Sequence, residues 1–324
     1  MKKLKSGGIL DLFRRFRTNL PLFTSLLALV IVLVVFQIVN PAFLSYKGFI
    51  ALIYAMSYFL IVACGLTFVI MMGSFDFSVV SLLKLAALFS VLYIEKIGLY
   101  VIPIAIALTT GFGIINGLLV AKFNVPSFMA TLGVSIVVEG LSLYLSKGHL
   151  FLMYNEQFRS LAITFIGGLP VIFYWAIGIW LISVALALLT PFGRRTYAIG
   201  TNLIGASLSG VNVVRHRIGV FALSGFYAGL AGILYMAQLG GGSMLIGSDL
   251  SVPLFASIVA GGTALTGGVG GPHRTLLGTI IITWTQAGLL MLAVGRDVQM
   301  LIFGLIAIGL AAATGDRTRV KTVK

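Results

Sequence analysis

The sequence predicts an all-α fold, a bundle of helices that crosses a membrane many times. Of the 324 residues, 59% are hydrophobic and only 9% are charged, whereas a typical soluble domain carries about 25% charge. Charge-free runs such as 20–40 and 49–72 are long enough to cross roughly 30 Å of hydrocarbon as helices. The strands of a membrane β-barrel would alternate polar and apolar residues, unlike these runs. We therefore predict a polytopic helical membrane protein.

Apolar stretches divide the chain into a basic cytoplasmic tail at 1–19, a membrane domain at 20–314 and a second basic tail at 315–324. The run after the first tail is longer than a signal-peptide core and lacks a small-residue cleavage site, which predicts an uncleaved anchor. About ten spans are predicted. They are 20–42, 49–72, 77–94, 98–121, 127–146, 162–190, 218–239, 252–262 with extended ends, 276–294 and 298–314.

The charge balance indicates membrane orientation rather than binding of nucleic acid. The chain has 22 Lys and Arg against 8 Asp and Glu, and most of the cations lie in the two tails and in a loop at 191–217. Because cations beside spans mark the cytoplasmic side, both termini are predicted to be cytoplasmic and the number of spans to be even. One cysteine, Cys64, and three widely spaced histidines argue against disulfides, iron–sulfur clusters and metal sites.

Two segments of nearly equal length, 49–146 and 218–314, each contain four predicted spans. The first span of each is followed by a phrase with the pattern Asp, apolar, Ser, Val, at 73–79 and at 247–252. Because the first segment starts outside and the second inside, we predict inverted four-helix repeats, which are typical of transporters and place the substrate where helices break. Alternatively, both phrases are turns in which the Asp caps a helix.

Charge inside the predicted spans is rare: Lys84 lies in the third and Glu139 in the fifth. Either side chain would cost at least about 2.5 kcal/mol if it faced lipid, so we predict that the two pair inside the bundle. The sequence offers no paired acids and no Ser/His constellation, and we do not expect an enzyme. The glycine-rich stretch 261–271 lacks the Gly-Lys-Ser/Thr ending of a phosphate loop, which argues against nucleotide binding by this chain.

Two further patterns concern contacts between helices. Gly225, Gly229 and Gly232 fall on one helical face, which predicts close packing against a neighbouring helix. In the loop 191–217, Asn202 can cap a short helix with a small apolar face, and Gly210 can stop it. Such a helix suits the groove of another protein; alternatively, it rests on the membrane surface.

Four phrases, in order, resemble the permease subunit of bacterial ABC importers of the ribose/galactose/xylose family (carbohydrate-uptake type 2). The likeness runs from about residue 45 to 312, and differences such as Ser74 and Val80 leave the solute open. The phrases are Gly-Ser-Phe-Asp-Phe-Ser-Val-Val-Ser at 73–81, Asn-Gly-Leu-Leu-Val-Ala at 116–121 with 125–128 and 130–133, Tyr-Ala-Ile-Gly-Thr-Asn at 197–202 with 208–211, and Gly-Gly-Thr at 261–263 with Gly267 and Gly268.

The resemblance implies a subunit of the bacterial inner membrane with three kinds of partner. They are a second permease copy or a paralogue, separate ABC ATPase subunits that hydrolyse ATP, and an extracytoplasmic sugar-binding protein. This chain itself would carry no cofactor. The loop around 201–210 would be the coupling helix that docks into the ATPase. The expected coupling residues are Gly200, Thr201, Asn202, Gly205, Ala206, Leu208 and Gly210.

The leading hypothesis is a permease for a monosaccharide or related polyol that works by alternating access. Polar groups would hydrogen-bond the solute, and two phenylalanines would form apolar walls. The expected path residues are Asp76, Ser78, Asn116, Thr131, Asp249 and Ser251, with Phe75 and Phe77 as walls. The alternative is an ion-coupled secondary transporter of a small polar solute, for which Glu139 would be the coupling acid.

Overall fold

A computed structural model describes residues 9–242 and 250–314, and the regular structure in these residues is mainly helical. A 3-10 turn, Gly98–Tyr100, separates the third and fourth helices. The helices are α1 (Ile9–Val39), α2 (Tyr46–Met71), α3 (Val79–Ile97), α4 (Val101–Ala121), α5 (Ser127–Ser146), α6 (Glu156–Ile163), α7 (Val171–Leu189), α8 (Pro191–Thr201), α9 (Leu203–Leu208), α10 (Val213–Leu239), α11 (Ser251–Ala260), α12 (Pro272–Met291) and α13 (Arg296–Thr314).

Across 9–242 and 250–314, four very short strands form two antiparallel pairs. Strand β1 (Phe151–Leu152) pairs with β4 (Gly241–Gly242), and β2 (Phe165–Ile166) pairs with β3 (Leu169–Pro170). Both pairs lie in connections beside α6, so the strands tie loops together and form no sheet core.

Within the described residues, five helical segments are long and apolar enough to cross a membrane: 46–71, 79–121, 127–146, 171–189 and 213–239. The segment 79–121 contains both α3 and α4. The prediction of a helical membrane protein is therefore confirmed. The number of ten spans, the cytoplasmic termini and the inverted repeats stay predictions.

Three predicted segments differ from the helices observed. The span predicted at 162–190 is α7, which begins only at Val171, because Gly167 and Gly168 turn with positive φ (56° and 83°) and divide it from α6. The segment predicted at 252–262 is α11, whose ten residues extend about 15 Å, half of a hydrocarbon core. Helix α1 begins at Ile9, inside the predicted tail 1–19.

Helix α10 lies at the centre and packs against α4, α3 and α2, while α2 also packs against α12 and α7. The predicted close packing of the glycine face is confirmed. A Cβ added at Gly225 or Gly229 would collide with Thr109 of α4. One added at Gly232 would collide with the Leu83 carbonyl oxygen of α3. These glycines let α10 approach two helices at backbone distance.

Helix α7 connects two ends of the bundle across nineteen residues, or about 28 Å. One end carries α6 and the short strands. The other carries α8, which packs against α2 and α10, and α9, which packs against α8 and α10. The loop 261–271 also lies at this second end, because the Gly268 amide donates a hydrogen bond to the Met71 carbonyl oxygen at 2.9 Å.

Candidate functional site

The connection between α2 and α3, residues 72–78, is organised by the carboxylate of Asp76. Its Oδ1 accepts hydrogen bonds from the Ser78 amide at 3.0 Å and from the Ser78 hydroxyl at 2.6 Å. Its Oδ2 accepts one from the Ser224 hydroxyl of α10 at 2.8 Å. Asn116 of α4 donates from Nδ2 to the Ser78 oxygen at 2.7 Å. This network ties the connection between α2 and α3 to α4 and α10. We call this connection the break.

Asp76, Ser78 and Asn116 are fully buried, as is Thr131 of α5. From the sequence, these four side chains are expected to line a path for solute. In this conformation they lie beneath the surface and are bonded to one another or to the backbone. The bond from the Ser78 amide to the carboxylate two residues before it is typical of an Asx turn. Asp76 thus shapes the turn that precedes α3, whose N-cap is Ser78.

Three aromatic rings form the less buried side of the break. The Phe75 and Phe77 rings stack with their centroids 6.4 Å apart, and the Phe255 ring of α11 lies 4.9 Å from that of Phe77. Phe255 was not among the residues predicted from the sequence. It stands four residues after Ser251, the first residue of α11, and that spacing places both on one helical face. Asp249 lies outside the described residues.

Lys84 and Glu139 are in contact across α3 and α5. The Lys84 Nζ lies 2.9 Å from the Glu139 Oε1, with 9% of the lysine side chain and 50% of the glutamate side chain exposed. An ion pair inside apolar helices neutralises the charge that either residue would otherwise present to lipid.

Helix α9 is formed as the sequence indicates, with Asn202 as its N-cap. The Asn202 Oδ1 accepts a hydrogen bond from the Gly205 amide at 2.9 Å, and Gly210 follows the helix with φ 82°. Ala206 is buried, but Ile204 and Leu208 are 70% and 85% exposed. The apolar side chains of α9 thus point away from the rest of this chain.

The backbone of α8 lies directly against the backbone of α2 and of the glycine-rich loop 261–271. A Cβ added at Gly200 would collide with the Met71 carbonyl oxygen at the end of α2, and would lie 2.6 Å from the Gly268 amide nitrogen. Gly268 itself adopts φ 74°, a conformation that favours glycine. The sequence stretches 200–210 and 261–268 therefore meet at the break.

The Tyr197 side chain adds a second contact between α8 and the glycine-rich loop, which sequence analysis had not assigned. Its hydroxyl donates to the Gly270 carbonyl oxygen at 2.6 Å. Burial raises the pKa of the Tyr197 phenol, and the nearby positive charge of Arg274 opposes that shift. The phenol remains protonated at neutral pH and can act as the donor. Within the described part of the chain, no group of three His, Cys, Asp or Glu side chains could hold a metal ion.

The molecule combines apolar spanning helices, a polar break among them and a glycine-packed junction beneath the break. Together these features define its class as a helical membrane permease. Residues 48–311 match the family described as the permease component of the branched-chain amino acid transport system, and the chain belongs to this family. It is 33% identical over 294 residues to the ribose import permease protein RbsC of Haemophilus influenzae, covering 87% of this chain and 89% of that protein.

Two further relatives extend the comparison. RbsC of Escherichia coli K12 is 32% identical over 292 residues, 87% of this chain and 90% of that protein. The L-arabinose transport system permease protein AraH of the same organism is 30% identical over 283 residues, 87% of this chain and 86% of AraH. The resemblance to ribose-type ABC permeases is confirmed. These findings place the chain among bacterial inner-membrane permeases and not among enzymes.

Proposed function

We propose that this chain is the membrane subunit through which an ABC importer translocates a monosaccharide or related polyol by alternating access. The observation that carries the proposal is the similarity to ribose and arabinose permeases over 87% of the chain. Separate ATPase subunits would hydrolyse ATP, and no cofactor would bind to this chain. An extracytoplasmic binding protein would deliver the sugar, and a second permease copy or paralogue would complete the path.

In this proposal α9 docks into a groove of the ATPase. The exposed apolar side chains of Ile204 and Leu208 support that role, because an apolar helical face suits a partner's groove. The contact of Gly200 with Met71 supports a direct mechanical link. When α9 moves with the ATPase, α8 presses on the end of α2 and shifts the break.

The break and α11 would form the moving part of the path. The half-buried rings of Phe75, Phe77 and Phe255 offer apolar walls against which the C–H face of a sugar can pack. Asp76, with its buried hydrogen bonds, would hold the shape of the break rather than bind solute directly. Ser251, the first residue of α11, would line the path there, and Asp249 stays a predicted path residue.

The complex purified through a tag on this chain tests the proposal. We expect an ATPase to copurify, and we expect one sugar-loaded binding protein to stimulate its activity and to drive ATP-dependent uptake into proteoliposomes. The alternative, an ion-coupled secondary transporter, predicts uptake by this chain alone without ATP, abolished by an uncoupler. That result would refute the importer.

Substitution of Gly200 by Ala tests the mechanical link. The added Cβ cannot fit against the Met71 carbonyl oxygen, so α8 should separate from α2 and uptake per ATP hydrolysed should fall. Gly178→Ala on α7 is the control, because its added Cβ would meet no atom of a neighbouring element within 4 Å. Equal coupling ratios in both variants would count against the route through α8.

A further inference from the structure

Helix α5 carries an oxygen-bearing side chain at every fourth position along the side that faces α3. These residues are Ser127, Thr131, Ser135 and Glu139. Side chains four residues apart are neighbours on a helix surface, and from the first to the last the row extends about 18 Å and winds about 120° around the axis. We call this row the α5 ladder.

The first two residues of the ladder, Ser127 and Thr131, bind the backbone of the break. The Phe75 amide donates to the Ser127 Oγ, and the Phe77 amide donates to the Thr131 Oγ1, both at 3.1 Å. These are the amides of the two residues whose rings form the apolar walls. The ladder therefore begins at the aromatic side of the break.

The last two residues of the ladder, Ser135 and Glu139, contact side chains of α3. The Ser81 and Ser135 hydroxyls lie 2.6 Å apart, and the Ser81 hydroxyl also reaches the Glu139 Oε1 at 3.3 Å. The Lys84 ammonium donates to that same Oε1 at 2.9 Å. The named contacts use one carboxylate oxygen, and they fix the orientation of the carboxylate.

The carboxylate at the top of the ladder is half exposed, although it lies in an apolar helix. The Glu139 side chain is 50% exposed, whereas its partner Lys84 is 9% exposed. Charged side chains in membrane segments face the interior of a bundle or a water-filled cavity rather than lipid. The open side of Glu139 therefore faces water or another polar surface.

We propose that Glu139 is a solute-binding residue of the translocation path, held in place by Lys84 and Ser81. Its carboxylate accepts hydrogen bonds from the hydroxyl groups of a polyhydroxy solute that passes between Glu139 and the rings of Phe75 and Phe77. This inference rests on the proposed function, because it assumes that the solute passes beside α3 and α5. A carboxylate suits this task, since it is an acceptor for several O–H donors at once.

Accessibility to a charged, water-soluble methanethiosulfonate reagent provides the first test, on the complete complex in proteoliposomes. The unsubstituted chain gives the background rate of modification, because its cysteine, Cys64, is fully buried. We expect Glu139→Cys to be modified at least about tenfold faster than Val137→Cys, since residues two apart point to different sides of a helix. Val137 is a matched control because it lies on α5 and is 62% exposed.

We also expect the sugar-loaded binding protein to slow modification of the Glu139→Cys variant. If that variant reacts no faster than Val137→Cys, Glu139 faces lipid or is covered by the second permease copy, and the inference is overturned.

ATP-driven uptake provides the second test, with copurification of the ATPase as the measure of assembly. Loss of a charge-assisted hydrogen bond to the solute in Glu139→Gln should lower uptake by about tenfold. The exchange variant Lys84→Glu/Glu139→Lys restores an ion pair but moves the carboxylate to α3. We expect it to assemble and to remain as poor in uptake as Glu139→Gln.

Full uptake by the exchange variant would mean that the pair only supports packing, and the inference would fail while the importer stands. Unaltered uptake by Glu139→Gln would overturn it in the same way. If the unsubstituted complex does not import sugar with ATP, the proposed function itself fails, and the two failures are thereby distinguishable.

Discussion

The interface of α4 with α10 and the interface of α3 with α5 join membrane helices by different chemistry. In the first, Gly113 and Gly117 of α4 lie directly against backbone atoms of Phe221 and Ile218, and a Cβ at Gly117 would be 2.6 Å from the Ile218 Cα. In the second, hydroxyl and charged side chains span the gap, as in the contact of Lys84 with Glu139.

The difference indicates which part of the bundle is fixed and which can change partners. Backbone contact between glycine-bearing helices depends on shape and leaves no room for water or solute. Hydrogen bonds between flexible side chains can be exchanged for bonds to water or to a sugar hydroxyl. We therefore regard α4 and α10 as the rigid core, and the α3–α5 side as the adaptable part of the molecule.

The largest effect is expected at the rigid interface, where Gly113→Leu should destabilise the chain by roughly 3 kcal/mol because the new side chain collides with the Phe221 backbone. The melting temperature of the purified permease measures it. Gly111→Leu on the same helix is the control, since no atom lies within 4 Å of the Cβ position of Gly111. Similar losses in both variants would contradict the rigid-core assignment.

Asp76→Ala should cost about 1 to 3 kcal/mol, because it leaves the buried Ser224 hydroxyl and the Ser78 amide without their acceptor. Asp76→Asn keeps one carbonyl oxygen and should cost less. Thermal unfolding measures stability, and uptake by the complex measures function. Unchanged stability in Asp76→Ala would show that the network does not hold the break.

Ser135→Ala, on the adaptable side, should cost only about 0.5 to 1.5 kcal/mol. Its partner, the Ser81 hydroxyl, keeps the Glu139 Oε1 within 3.3 Å as an acceptor. Chemical or thermal unfolding beside the Asp76→Ala variant provides the comparison. A loss as large as that of Asp76→Ala would mean that the α5 ladder is as rigid as the core.

The smallest effect is expected for Gly140→Ala on the outer face of α5, where no atom of this chain lies within 4 Å of the Cβ position. The isolated permease should gain up to about 1 kcal/mol from improved helix propensity. Its melting temperature should rise or stay constant. A fall in the complete complex alone would locate a partner surface on that face of α5.

Much of the architecture is predictable from local sequence. Long apolar runs predict helices because the backbone must satisfy its own hydrogen bonds in lipid, and α2, α5 and α10 follow those runs closely. The end of an apolar run is less informative. The span predicted at 162–190 did not reveal the turn at Gly167 and Gly168, because Phe165, Ile166 and Leu169 around it are themselves apolar.

The candidate site was only partly predictable. The scarcity of intramembrane charge pointed to Lys84 and Glu139, and the Asp-apolar-Ser pattern pointed to the break. The partners of the break were not visible: Ser224 is 148 positions from Asp76, and Phe255 stands in an ordinary apolar run of α11. Neither residue differs from its neighbours in any local pattern.

The sequence by itself determined the class of protein, through its apolar composition and ordered phrases, and most of the helical segments. It also determined the cap of α9 and the close-packing face of α10, because each of these depends on residues within one or two helical turns. The tertiary structure alone decided that Gly200 meets Met71, that Ser224 bonds Asp76 and that Phe255 joins Phe77. These contacts join distant parts of the chain. They depend on how helices cross and on which element each helical face meets, and helical periodicity does not specify that partner.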